Sequence, residues 1–236
     1  MKIKASIILP TYNEAGNIIK LVEAIKHELD LKRIPHEIII VDDNSPDQTG
    51  LLSQKYFSKL PEVRVIIRNK EKGLATAIRT GIEAAVGEVI VAMDTDFNHE
   101  PSLVPRLIEK CDGYDFAVGS RFVRGGGMIN KKREILSRLF NLFLIRPVIG
   151  SPVHDNLCGF FAIKRVELDK LPFDRIFYGY GDYFIRLIYL ANKQGNTFIE
   201  LPSFYKDREY GVSKSKFLDM FWDYFMTGLA IRFGKD

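Results

Sequence analysis

The sequence predicts a doubly wound α/β fold, and three observations carry that reading. Short β-branched runs alternate with helical periodicity through the first half of the chain. One of those runs is nearly all apolar, as expected of a central strand covered on both faces. Polar and acidic residues follow several runs directly, at the carboxyl ends where open parallel sheets bind ligands.

Residues 4–9 read as the first strand. Apolar residues then recur at Ile18, Leu21, Val22, Ile25 and Leu29, the spacing of one helix face over residues 17–29. Residues 37–41 form the apolar second strand. A helix over 51–57, a strand over 63–68, a helix over 74–86 and a strand over 88–93 continue the alternation. Residues 102–111 and 116–119 add one more helix and strand. Regularity then breaks at Gly125-Gly126-Gly127, where three glycines beside basic residues predict a mobile loop. Residues 134–149 and 217–233 are apolar with embedded charge. Both suit helices lying in a membrane surface better than helices spanning it.

Composition narrows the class. With 46% hydrophobic and 27% charged residues, the 236-residue chain can bury a core without staples, and it reads as a single domain. A formal charge of +4 falls short of a nucleic-acid footprint, so no nucleic acid is expected as a partner. The positive residues gather instead at Lys131, Lys132, Arg133 and Arg138. Cys111 and Cys158 lack metal or redox spacing and are expected as buried free thiols. The apolar run Ile7-Ile8-Leu9 before Pro10 is too short for a signal peptide, which predicts a cytoplasmic protein.

The chemistry is expected behind the strands. Asp94-Thr95-Asp96 follows an apolar strand, and two carboxylates there can hold a hard divalent cation that neutralises a diphosphate leaving group. Val41-Asp42-Asp43-Asn44-Ser45 ends the second strand with acids able to accept from a base or ribose. Pro10-Thr11-Tyr12-Asn13-Glu14 ends the first with an aromatic ring to pack on a base. Turn and capping chemistry is the plain alternative for each motif. Their convergence on one crevice favours a site.

In order and spacing, these motifs together with Lys72-Gly73-Leu74 and Asp94-Thr95-Asp96-Phe97 resemble the inverting family 2 glycosyltransferases of GT-A fold. Gly119-Ser120-Arg121, Lys132-Arg133 leading to Ser137-Arg138, Gly159-Phe160-Phe161, and Asp207-Arg208 with Gly211 and Ser213-Lys214 are similar to the dolichol-phosphate mannose synthase branch. The resemblance implies a Rossmann-like, mostly parallel sheet with flanking helices. It also implies a nucleotide-sugar-binding half (1–120), an acceptor-binding half (121–216) and an amphipathic C-terminal segment (217–236).

It implies further that Asp42 or Asp43 meets the base or ribose, with Pro10, Tyr12, Glu14 and Gly73 around the nucleotide. Asp94 and Asp96 would hold Mg²⁺ or Mn²⁺ and the diphosphate, and Arg121, Arg133, Arg208 and Lys214 would bind phosphates, for which the planar arginine fork is suited. Asn44 and Asn98 depart from residues common in the branch without removing a ligand.

The implied reaction moves a hexose, mannose from GDP-mannose foremost, to a polyprenyl (dolichyl) phosphate on the cytoplasmic face of a membrane, where an anchoring subunit is a further conceivable partner. Such an acceptor is already ionised and needs no general base. Asp182 and Asp155 are the only nominees for one. UDP-glucose as donor, or a hydroxyl acceptor, is the alternative within the family. A nucleotidyltransferase would place a Gly-rich basic loop after the first strand, where this chain has Pro10-Thr11-Tyr12-Asn13-Glu14. A non-catalytic subunit would not need Asp94, Asp96, Arg121 and Arg208 together.

Overall fold

The computed structural model describes residues 2–206 and 217–234. The alternation read in the first half becomes β1 (Ala5–Thr11), α1 (Ile18–Leu31), β2 (His36–Asp42), α2 (Thr49–Tyr56), β3 (Val63–Ile67), α3 (Leu74–Ala84), β4 (Val89–Ala92), α4 (Leu103–Lys110) and β5 (Phe116–Ser120). β1 pairs in parallel with β2 on one side and β4 on the other, with Ile7 opposite Ile38 and Val91. Ile7, Ile38 and Val91 are all fully buried, because helices cover both faces of the sheet. β1, β2 and β4 therefore end along one edge, at Thr11, Asp42 and Ala92.

The second half continues as β6 (Gly127–Met128), α5 (Lys131–Phe140), a π-helical turn (Asn141–Ile145), α6 (Arg146–Ile149), β7 (Phe161–Lys164), α7 (Arg165–Leu168), α8 (Phe173–Ile176), α9 (Tyr183–Lys193), β8 (Phe198–Pro202), β9 (Phe204–Tyr205) and α10 (Phe217–Phe233). The main sheet has seven strands in the order β3-β2-β1-β4-β7-β5-β8. Only β7 runs against its neighbours, and its first residue, Phe161, stands opposite Ala92 at the end of β4. Gly159 and Phe160 are thereby delivered to the edge where the parallel strands finish. β7 and β8 lie in the same sheet as β1 to β4, so the described residues on either side of residue 120 share one core.

The triple glycine is not the mobile loop expected of it. Gly127 opens β6, which pairs in parallel with β9, and Gly126 N donates to Val123 O at 2.9 Å. A side chain on Gly126 would collide with the carbonyl oxygen of Ser120, and Gly125 has φ +92°. Close backbone approach and a left-handed turn, not motion, require these glycines.

Helices α5, α6, α9 and α10 share a smaller core, where Phe140, Ile145, Ile149, Ile185 and Tyr224 pack and the Phe140 and Phe221 rings stack at 4.2 Å. The π-helical turn has a local cause. Buried Asn141 donates to His154 O and accepts from Asn156 N at 3.1 Å, side-chain bonds that accompany the widened turn. The outer side of the same stretch is apolar and exposed, with Phe143 67% and Leu142 42% accessible, and Trp222 on α10 is 63% accessible. Among the described residues no helix is long and apolar enough to cross a membrane. Cys111 and Cys158 are free and buried, as their spacing predicts.

Candidate active site

The strand ends open into a cavity of about 1070 Å³. Pro10, Tyr12 and Glu14 reach it from the end of β1, and Asp43 from the end of β2. Gly73 lines it at the start of α3, and Asp94 and Asp96 follow β4. Arg121 lines it just after β5, Arg133 from α5 and Asp182 at the start of α9. Arg208 and Lys214 lie outside the described residues.

Asp42 does not line the cavity. Its carboxylate is buried, accepting from Thr11 Oγ1 at 3.0 Å, Ser45 N at 3.0 Å and Ser45 Oγ at 2.5 Å. The expectation that Asp42 binds nucleotide gives way to a structural role, closing the turn after β2. Asn44 has φ +51° in that turn, a left-handed conformation that asparagine tolerates and that explains why glycine would serve equally.

Asp43 faces the cavity and ties together two elements the sequence kept apart. Gly73 N donates to it at 2.7 Å, and Arg68 Nε donates at 2.7 Å from just beyond β3. Arg68 also donates to Thr76 Oγ1 and to Gly73 O, each at 3.0 Å, so the arginine pins the Lys72-Gly73 turn under the cavity. Lys72 Nζ lies 5.4 Å from the centroid of the Tyr12 ring. Sequence reading missed Arg68. Its signal is a basic residue at the carboxyl end of an apolar strand.

Asp96 is 3% exposed and held at both oxygens by Asn98, whose backbone N donates at 3.1 Å and whose Nδ2 donates to the second oxygen. Phe97 between them has φ +60°, a rare conformation for a bulky residue and one that concentrates at functional turns. Among the described residues no three His, Cys, Asp or Glu side chains are grouped to hold a metal alone. Asp94 and Asp96 do fit the minority protein share of a Mg²⁺ or Mn²⁺ site, in which one or two carboxylates suffice and substrate phosphates and water complete the shell.

Arg121 is 6% exposed and grips Asp155 through Nε at 2.7 Å and Nη2 at 2.8 Å. Burial opposes its charge, but the Asp155 carboxylate more than restores it and holds the guanidinium cationic. Two of its five N–H groups serve Asp155, which leaves donors for an anion in the cavity. Asp155 is fully buried by this pairing and does not line the cavity, so it is no general base.

Asp182 does line the cavity, yet Arg186 Nη1 donates to it at 2.5 Å, Thr227 Oγ1 at 2.9 Å and Tyr180 N at 3.0 Å. Tyr183, Tyr205 and Tyr224 line the same space. Burial first pushes all three phenols up, followed by the Asp94 carboxylate at Tyr183, the Asp96 carboxylate at Tyr205 and the Tyr180 phenol at Tyr224, and keeps them protonated donors.

Arg121 and Arg133 line the same cavity as Asp94 and Asp96 at the carboxyl edge of the sheet, an arrangement that suits a phosphorylated ligand. The chain belongs to glycosyl transferase family 2, whose family model matches residues 6–171. It is 36% identical over 218 residues to a dolichol-phosphate mannosyltransferase of Pyrococcus furiosus, a match that takes in 90% of this chain and 59% of that protein. It is 34% identical over 215 residues to a polyprenol monophosphomannose synthase of Mycolicibacterium smegmatis, covering 88% of this chain and 79% of the relative. Its fold matches glucosyl-3-phosphoglycerate synthase of Mycobacterium tuberculosis. A complex of that enzyme with Mn²⁺, UDP and phosphoglyceric acid gives a TM-score of 0.72 at 20% identity, over 99% of this chain and 80% of the other. A complex with Mg²⁺ and UDP gives 0.71 at 23% identity over the same shares.

Proposed function

We propose that this chain transfers mannose from GDP-mannose to a polyprenyl phosphate at a membrane surface. The observation that carries the reading is the presence of the carboxylates Asp94 and Asp96 and the cations Arg121 and Arg133 in the lining of one cavity. The names of the two relatives support mannose and a polyprenyl acceptor.

The acceptor phosphate is ionised at neutral pH. One of its oxygens attacks the anomeric carbon with a lone pair, and the bond from that carbon to the diphosphate breaks and leaves its electron pair on the diphosphate. No proton has to move. The residues therefore act by positioning and charge neutralisation. Tyr12, Asp43 and the Gly73 turn hold the nucleoside end. Asp94 and Asp96 would hold Mg²⁺ or Mn²⁺, which supplies neutralising charge to the leaving diphosphate when bound. Arg121 and Arg133 orient the acceptor phosphate, with Arg208 and Lys214 proposed to assist. Asp182, with three donors on its carboxylate, acts as a brace and not as a base.

Incubating the protein with polyprenyl phosphate vesicles and a panel of labelled nucleotide sugars tests the reading. Label from GDP-mannose should enter an acid-labile lipid, and chelator or Asp94→Asn should lower the rate by about 10²-fold or more. Labelling from UDP-glucose alone, or full activity of Asp94→Asn in excess chelator, contradicts it.

A further inference from the structure

Asn98 has a second bond that the carboxylate site does not account for. Its Nδ2, which donates to Asp96, also donates to Tyr205 Oη at 2.8 Å, and its backbone carbonyl oxygen accepts from Lys206 N at 3.1 Å. One side chain thus joins the turn after β4 to the end of β9, more than a hundred residues away in the chain. Tyr205 stands between the two arginines of the cavity lining. The centroid of its ring lies 5.4 Å from Arg121 Cζ and 5.6 Å from Arg133 Cζ, within reach of cation–π attraction. His99 meets the same ring edge-on at 5.1 Å. β9 pairs with β6, and β6 leads directly into α5, which carries Arg133.

Resting on the reading above, we propose that Asn98 and Tyr205 form a splint that sets the spacing between the Asp96 carboxylate and the arginines that take the acceptor phosphate. Both are positioning residues. Asn98 fixes Asp96 at both oxygens, and Tyr205 passes that placement to two guanidinium groups. Accepting from Asn98 leaves the phenol its own proton to donate toward an oxyanion between the two charged sides of the cavity. Charge on one side is then felt on the other through shared geometry, so that donor diphosphate and acceptor phosphate are held at one separation.

A merely structural pair would alter stability without coupling two affinities. The test is therefore a double-mutant cycle with Y205F, N98A and the double variant. Calorimetry reads the affinity for Mn²⁺ in the presence of GDP, and then the affinity of the Mn²⁺–GDP complex for a short-chain polyprenyl phosphate. Y205F keeps the ring between the guanidinium groups and removes only the hydroxyl, so folding is not at stake.

Each single variant should weaken both affinities about three- to tenfold, the range of one lost hydrogen bond. The double variant should be no weaker than the worse single, because either change alone breaks the splint. Additive losses in the double variant, or a Y205F protein with both affinities of the wild type, overturn the splint. A wild-type protein that binds Mn²⁺–GDP but no polyprenyl phosphate contradicts the proposed acceptor instead, and the coupling in the metal arm then decides the splint alone.

Discussion

Asp42 and Asp43 are adjacent and chemically identical, yet one is turned into the interior and the other into the cavity. Successive residues of an extended segment point to opposite sides, so a pair of acids at a strand end cannot both face the ligand. Composition alone does not say which one does. The same blindness hid Asp155, which stands 34 residues from Arg121 and is legible as its partner only once β5 and the loop before β7 are packed together.

His99 is a third buried polar residue of this region, and it makes a prediction about acid stability. It is fully buried between Phe160 and Tyr205. Burial first, and then the Arg121 guanidinium, lowers its pKa from 6.5 to about 3, with Asp155 pulling weakly the other way. The unfolded chain therefore binds this proton near pH 6.5 and the folded one does not. Stability is fully present above pH 6.5 and falls as the pH drops toward 3, at up to about 1.4 kcal/mol per pH unit. Urea unfolding at pH 7 and pH 5 should show a clearly shallower loss in His99→Gln than in the wild type. Equal slopes would mean the imidazole takes up its proton in the folded protein.

At the scale of elements, the start of α9 is organised around a buried arginine. Arg186 is 1% exposed and donates to Ile176 O at 3.0 Å, to Tyr178 O and to Asp182, while its guanidinium lies 3.7 Å from the centroid of the Tyr178 ring. Asp182 in turn accepts from Thr227 on α10, so one carboxylate joins α9, α10 and the turn that borders the cavity. Breaking such a pair strands a buried charge, which costs about 3 kcal/mol or more. Asp182→Ala should therefore lower the melting temperature by roughly 6–12 °C. Asp182→Asn, which keeps an acceptor, should reduce turnover less than tenfold, since no proton is taken from the nucleophile. A loss of several orders of magnitude in turnover with unchanged donor binding would identify Asp182 as a base.

The first nine elements were legible because each carries its own periodicity. β7 was not, because Phe161-Ala162-Ile163-Lys164 has no mark of direction and its antiparallel placement is set by which neighbours it meets. β6 and β9 are two residues each, too short for any periodicity, and Gly127 reads as a loop until its partner is known. The burial of Arg186 has no mark in the sequence either. It depends on carbonyl groups offered by a separate turn.

For the whole molecule, the convergence of strand ends on one crevice could be read from the sequence, since parallel β-α-β units put their carboxyl ends on one edge. In space β7 and β8 complete the sheet begun by β1, a pairing that the order of elements along the chain does not announce. Leu142 and Phe143 on the π-helical turn and Trp222 on α10 are exposed, as are Lys132 and Arg138 on α5, and apolar and basic side chains of this kind suit a lipid headgroup layer. The protein should sediment with anionic liposomes at low salt, and Phe143→Glu should weaken that binding. Sedimentation unaffected by Phe143→Glu would move the contact elsewhere.

The central claim is that the nucleophile is a lipid phosphate whose charge Arg121 and Arg133 receive and whose ionisation makes a base unnecessary. The most direct measurement offers the same protein, Mn²⁺ and labelled GDP-mannose to two acceptors that differ in one group, a polyprenyl phosphate and the corresponding polyprenol. Label should enter the lipid phase with the phosphate and not with the alcohol. Transfer to the alcohol at a comparable rate, or none to the phosphate, would contradict it.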